Sequence, residues 1–130
     1  IYEIERWDKT VIARKKILSS LTAISNKAGI HNYLPAAYVN PSLDIVPLRF
    51  VWSELNGKIR RNLLRKYVDV DWTWFMKPII GTKENLENFG YINGNCPVSE
   101  LIGEGMVNIP CNLKMDVKEK LLQSIESGLL

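Results

Sequence analysis

Residues 90–111 read GYINGNCPVSELIGEGMVNIPC. Asn93-Gly94 is a turn signal. Pro97 suits the first turn of a helix, where its missing N–H costs nothing. Val98, Leu101 and Ile102, spaced by three and four, give that helix an apolar face, and Gly105 stops it. Met106 to Ile109 reads as a short strand closed by Pro110, which has no N–H to donate to a ladder. Downstream, Asp116 is placed to cap a last helix. Glu119 follows at a capping-box spacing, and Val117, Leu121 and Ile125 form the helix's buried stripe before Gly128.

Upstream, residues 1–28 read as one long amphipathic helix. Ile1, Ile4, Trp7, Val11, Leu18, Leu21 and Ile24 recur at spacings of three, four or seven. Gly29 is placed to end it in a left-handed conformation. Residues 31–42, broken by Pro35, Asn40 and Pro41, read as a loop. Residues 45–52 are rich in branched and aromatic side chains and predict a strand with an irregular entry at Pro47. After Asn56-Gly57 the spacing predicts a helix over 58–67, with Ile59, Leu63 and Tyr67 on one face and Lys58, Arg61 and Arg65 on another. Val68, Asp69, Val70, Asp71, Trp72, Thr73 and Trp74 alternate with the period of a half-buried strand. A short helical piece is expected around 84–89.

These elements predict one domain spanning 1–130. Its class is α/β in the α+β sense, a small sandwich of a short, partly antiparallel sheet with helices on one face. The 130 residues suffice for one core. Net charge of +3 is too small to argue for nucleic acid by itself. No apolar run approaches the roughly 18 residues a membrane helix needs. The chain begins at Ile1 without a methionine, which reads as a fragment, an excised domain or a processed product. Cys96 and Cys111 read as reduced, partly buried thiols. His31 is the only histidine and falls in a surface loop. No His/Cys spacing suggests a metal site.

The order and spacing of these pieces resemble the C-terminal small domain of the DegT/DnrJ/StrS family of pyridoxal-phosphate-dependent sugar aminotransferases, as in the small domain of aspartate-aminotransferase-like enzymes. Residues 1–24 resemble the long helix that leaves the large domain, VPLRFVW at 46–52 the strand after it, and 59–70 the helix-to-strand step. FGYINGNCPVSE at 89–100 is the most specific piece, and MVNIPC at 106–111 resembles the strand that ends at a proline. Many members carry a histidine, an aromatic residue and a proline after the leucine-rich helix. Here that region is DWTWFMKP, without histidine, which departs from the usual sugar specificity.

The resemblance implies a cytoplasmic transferase of nucleotide-sugar and polysaccharide biosynthesis that moves an amino group from an amino acid, often glutamate, to a keto nucleotide-sugar. It implies pyridoxal 5'-phosphate and the Schiff-base lysine in an upstream large domain, a small domain that closes the substrate cleft, and a homodimer. No catalytic residue is assigned to this chain, which would be inactive alone and hold no cofactor or metal itself.

Trp72 and Trp74 share a strand face and, with Lys77, are the substrate-binding candidates. The tryptophans would wall a sugar or base, and Lys77 would meet a phosphate. Aromatic pairs at this spacing are more often core, and a solvated loop explains Lys77. Arg49, inside an apolar strand, is expected to pair with Asp44 or Glu54. The cluster Lys58, Arg60, Arg61, Arg65 and Lys66 reads first as the solvated face of a helix and second as an anion or nucleic-acid surface. Asp69 and Asp71 read as an outward polar face. Two other functional classes stand beside the aminotransferase: a stand-alone binding module that kept the fold and lost the chemistry, and a small basic nucleic-acid-binding domain resting only on 58–66.

Overall fold

A computed structural model describes residues 2–30, 33–70 and 85–127. In chain order these form α1 (Tyr2–Glu5), α2 (Trp7–Lys27), a 3-10 turn (Ala36–Tyr38), β1 (Arg49–Ser53), α3 (Gly57–Leu64), a second 3-10 turn (Leu86–Phe89), α4 (Pro97–Gly105), β2 (Met106–Pro110) and α5 (Met115–Glu126). Among the described residues the sheet is a two-stranded antiparallel pair with Phe50 opposite Ile109 and Trp52 opposite Val107. The class is α+β.

Phe50, Trp52, Val107 and Ile109 build the centre of the core with Leu21 and Ile24 of α2, Leu64 of α3 and Leu121 and Ile125 of α5. The α5 stripe therefore packs as its spacing predicts. The two long helices lie side by side and run the same way. Leu113 and Lys118 stand beside Ile12 and Ile17, and at the far ends the Lys27 ammonium reaches the Glu126 carboxylate at 2.9 Å. The 21 residues of α2 meet only 12 of α5. At 3.6 residues per turn, α2 overhangs by roughly two and a half turns. Its stripe is buried from Ile17 onward, while Ile4 is 79 % exposed and Trp7 and Ile12 are also bare. A break at Arg6 divides what the sequence presents as one helix. Gly29 ends it at φ 73°, as expected.

Several elements depart from their sequence pattern. The strand expected over 45–52 is Arg49–Ser53, opposite Met106–Pro110, and a further backbone bond from the Cys111 N–H to the Leu48 carbonyl (3.0 Å) continues the same register. The helix expected over 58–67 ends at Leu64, and its buried face carries Gly57, Arg61 and Leu64 while Ile59 and Leu63 are exposed. Residues 68–70 bury Val68 and Val70 around an exposed Asp69, keeping the alternation, but are not paired as a strand. The rest of that expected strand, with Trp72 and Trp74, lies outside the described residues. The capping box at Asp116 does not form. The helix starts at Met115 with Lys114 in the cap position, which places Asp116 inside the first turn.

Two contacts tie the sheet to its surroundings. The Tyr38 hydroxyl accepts from the Val51 N–H (3.0 Å) and donates to the Arg49 carbonyl (3.3 Å), while its ring stacks on Phe50 at 5.0 Å. One side chain thus covers the edge of β1 that faces away from β2. At the other end of the strand, the Glu54 N–H donates to the Gly105 carbonyl (3.1 Å) and the Gly57 N–H to the Glu54 carbonyl (3.0 Å). A Cβ on Gly57 would overlap the Gly105 carbonyl, and one on Gly105 would sit 2.6 Å from the Glu54 carbonyl oxygen.

Gly57→Ala is therefore expected to cost about 1–3 kcal/mol by overpacking against backbone that has no room to move. Tyr38→Phe, which strands the Val51 N–H, is expected to cost about 1 kcal/mol. Urea midpoints of the two variants check both.

Candidate functional site

Val70 borders a cleft of about 550 Å³. Leu55, Lys58, Arg61, Asn62, Arg65, Val70 and Glu104 line it. Lys58, Asn62 and Arg65 stand at i, i+4 and i+7, so one helical face presents them together. Asn62 Oδ1 accepts from the Arg65 guanidinium at 2.7 Å, which fixes that cation. Arg61, buried beneath them, donates to the Glu104 carbonyl at 2.9 Å and to the Met106 carbonyl. It lines the cleft, but its guanidinium N–H groups hold the α4–β2 junction.

The basic cluster read from sequence is therefore divided. Arg60 forms a forked ion pair with Glu54, at 2.8 and 3.2 Å, and Trp52 Nε1 adds a third hydrogen bond to that carboxylate at 2.9 Å. Burial alone would push the Glu54 carboxyl up, but the hydrogen bonds from Arg60 and Trp52 outweigh it and hold it low. Lys66 lies over the Tyr67 ring at 4.8 Å. Only Lys58, Arg61 and Arg65 serve the cleft.

Arg49 is also placed differently from its sequence reading. It donates to Asn108 on the neighbouring strand and to the Asp69 carbonyl at 2.7 Å. Asp44 pairs with Lys15 and Glu54 with Arg60. Burial lowers the Arg49 pKa, and the charge of Asp69 opposes that shift. Arg49 thus ties the β1–β2 sheet to residues 68–70, the segment that approaches the cleft.

The second organised feature is the loop before α4. Glu100 Oε1 accepts from the Tyr91 hydroxyl at 2.7 Å, the Gly94 N–H at 2.9 Å and the Cys96 N–H at 3.2 Å. One carboxylate thereby closes the Asn93-Gly94 turn and caps the helix that begins at Pro97. The hydrogen bond from Tyr91 is the main cause of a lowered Glu100 pKa, and in return the Tyr91 phenol is pushed up to about 12. Beyond the loop, Val98, Leu101 and Ile102 form the apolar face the spacing predicts, but nothing among the described residues covers it. Val98 is 69 % and Leu101 59 % exposed.

Trp72, Trp74, Lys77 and His31 lie outside the described residues. Cys96 and Cys111 are both free thiols. Cys111 is fully buried rather than partly so, and burial raises its pKa to about 11. The described lysines are all at least partly exposed, and Arg61 is committed to backbone carbonyls. These residues do not fit a buried Schiff-base amine with a phosphate cradle beside it. No protein family, curated protein or solved structure matches the chain.

The Tyr91–Glu100 pair makes the loop sensitive to pH at both ends. A lowered carboxyl pKa stabilises the fold above the ordinary carboxyl range, and that contribution is lost as pH falls through it. A raised phenol pKa stabilises below the usual 10.0, and that contribution is lost as pH climbs toward about 12. In a phenolate absorbance titration, Tyr91→Phe is expected to remove the step near 12 and leave the rest of the curve unchanged.

Proposed function

We propose that this chain is the small, cleft-closing domain of a pyridoxal-phosphate-dependent aminotransferase acting on a keto nucleotide-sugar. The observation that carries the proposal is the cationic cleft beside Val70. Val70 lines it, and the residues that the family resemblance sets against the substrate, Trp72, Trp74 and Lys77, follow Val70 in the sequence. A nucleotide-sugar brings a diphosphate, and two cations on one helical face suit such a group. Support also comes from the 89–100 stretch, whose turn, proline-started helix and following strand fold as one hydrogen-bonded unit.

In this reading Lys58 and Arg65 hold the diphosphate. Asn62 keeps the Arg65 guanidinium aimed into the cleft, and Arg61 adds positive charge from below while fixing the floor. The cofactor supplies the amino-group chemistry from the preceding domain, and no step of it falls to the residues described here. The amino donor, the homodimer and a place in cytoplasmic sugar metabolism belong to the same proposal.

The test uses the natural full-length protein. Its reading frame is expected to encode a lysine-bearing large domain ahead of Ile1. A nucleoside diphosphate sugar is expected to bind, with Lys58→Gln or Arg65→Gln each weakening it by roughly tenfold, the value of one charge-assisted hydrogen bond. A frame that begins near Ile1, or binding indifferent to both substitutions, overturns the proposal.

A further inference from the structure

The tyrosine hydroxyls of this chain are bonded in two opposite senses. Tyr38 gives its proton to the Arg49 carbonyl at 3.3 Å, and Tyr91 gives its proton to the Glu100 carboxylate at 2.7 Å. Both phenols are pushed up, Tyr38 chiefly by burial and Tyr91 chiefly by that carboxylate. Tyr67 is arranged the other way round. It stands just past the end of α3, half-buried, packed against the core. The Ser124 hydroxyl of α5 donates to the Tyr67 oxygen at 2.6 Å. The Lys66 ammonium lies 4.8 Å from the centre of the same ring. Among the described residues no acceptor takes the Tyr67 proton, and no carboxylate pairs with Lys66.

These surroundings favour the anion of Tyr67 over the neutral phenol. A donor at the oxygen and a cation beside it both gain when the proton leaves. Hydrogen bonds from Ser124 and then Lys66 draw the Tyr67 pKa below its ordinary 10.0, and burial, which opposes them, counts for less. Ser124 is only 7 % exposed, so little water competes for its hydroxyl, while Lys66 stands in solvent. The ionised form of such a side chain is its nucleophilic form, and an adjacent cation activates it by favouring that form. At neutral pH a lower pKa enlarges the ionised fraction by more than it dulls the attacking atom, a balance established for thiolates.

We propose that Tyr67, set between Ser124 and Lys66, is the nucleophilic phenol of this chain, a modification site that accepts an acyl group from an activated acyl donor. The Tyr67 oxygen bonds to the acyl carbon, the bond from that carbon to its leaving group breaks, and the phenol proton passes through water to the leaving group. Lys66 keeps its ammonium charge and Ser124 its proton, and both serve as positioning residues. The ester oxygen is a poorer acceptor for Ser124, so acylation loosens the tie between the end of α3 and α5. The proposal goes beyond the aminotransferase reading and does not depend on it.

The experiment treats the natural full-length protein with N-acetylimidazole from neutral to alkaline pH and follows the initial rate at each side chain by peptide mass mapping. Tyr33, which is 49 % exposed, is the internal reference, because access alone would make it react first. Tyr67 is expected to be acetylated ahead of Tyr33 and to reach half of its limiting rate at lower pH. Hydroxylamine is expected to remove the group, as it does from a phenyl ester and not from a lysine amide. Lys66→Met and Ser124→Ala are each expected to slow Tyr67 toward the rate of Tyr33 and to move its pH profile upward, since each removes a group that favours the anion. Lys66→Arg keeps the charge and is expected to keep the rate. A purely structural contact would leave the pH profile in place, and an unchanged rate at Tyr33 reports that each variant is folded. Tyr67 reacting no faster than Tyr33, acetylation of Lys66 in its stead, or a Tyr67 profile indifferent to both Lys66→Met and Ser124→Ala overturns the proposal.

Discussion

The close passage of Gly57 under Gly105 is the constraint on which the rest of this fold hangs. The turn from β1 into α3 and the junction of α4 with β2 share a space that leaves no room for two Cβ atoms. Backbone hydrogen bonds from Glu54 to Gly105 and from Gly57 to Glu54 close it. Arg61 then reaches from α3 to the carbonyls of Glu104 and Met106 on the other side of the junction. A buried guanidinium with several donors suits this role, because a helix that passes directly into a strand leaves carbonyls which neither element pairs. Two segments almost fifty residues apart in sequence are thereby locked in register, and the antiparallel pairing of Trp52 with Val107 follows from it.

That junction also decides where charge lies. Holding α3 against the α4–β2 junction buries Arg61 and turns Arg60 toward Glu54, where the forked ion pair and Trp52 satisfy it. Lys58 and Arg65 are left facing Glu104 across the cleft. A pair as well hydrogen-bonded as Arg60 and Glu54 fixes geometry more than it adds stability, since desolvation offsets much of its Coulomb gain. Its effect is to remove one cation from the helix surface and leave the others grouped. Arg49 works in the same sense on β1, tying residues 68–70 to Asn108.

The parts legible in the sequence were those set by local chemistry. The Pro97 start and Gly105 stop of α4, the α5 stripe of Leu121 and Ile125, and the left-handed Gly29 all follow from neighbours within a few residues. Features set by distant partners were not legible. The register of β1 is set by β2, which no pattern within 45–52 encodes. Arg61 sits in a basic run whose periodicity assigns it to solvent, and only the unpaired carbonyls at Glu104 and Met106 bring it inside. The capping role of Glu100 had a local signal, an Asn-Gly turn followed by Glu four residues past a Cys-Pro step, but that pattern does not name Tyr91 as the second donor. For the site, Lys58 and Arg65 were visible as candidates within a larger cluster, while the removal of Arg60 by Glu54 depends on tertiary packing.

Hydrophobic periodicity reports that a face is apolar and is silent on what covers it. The stripes of α4 and of α2 before Ile17 have the same spacing as that of α5, yet among the described residues only that of α5 is covered. Leaving several large aliphatic side chains in water forgoes a free energy of about 25 cal/mol per Å², so contiguous bare stripes on two elements are informative in a way that scattered ones are not. Their rims sharpen the point. The formal net charge of +3 suggests a nearly neutral surface, but cations are grouped: lysines gather around the α2–α5 groove, and Lys58, Arg61 and Arg65 gather at the α3 cleft, where Glu104 of α4 stands among them. A net charge averages over this arrangement. Sorting of that kind gives each surface a preference for one class of neighbour, which apolar area alone does not provide.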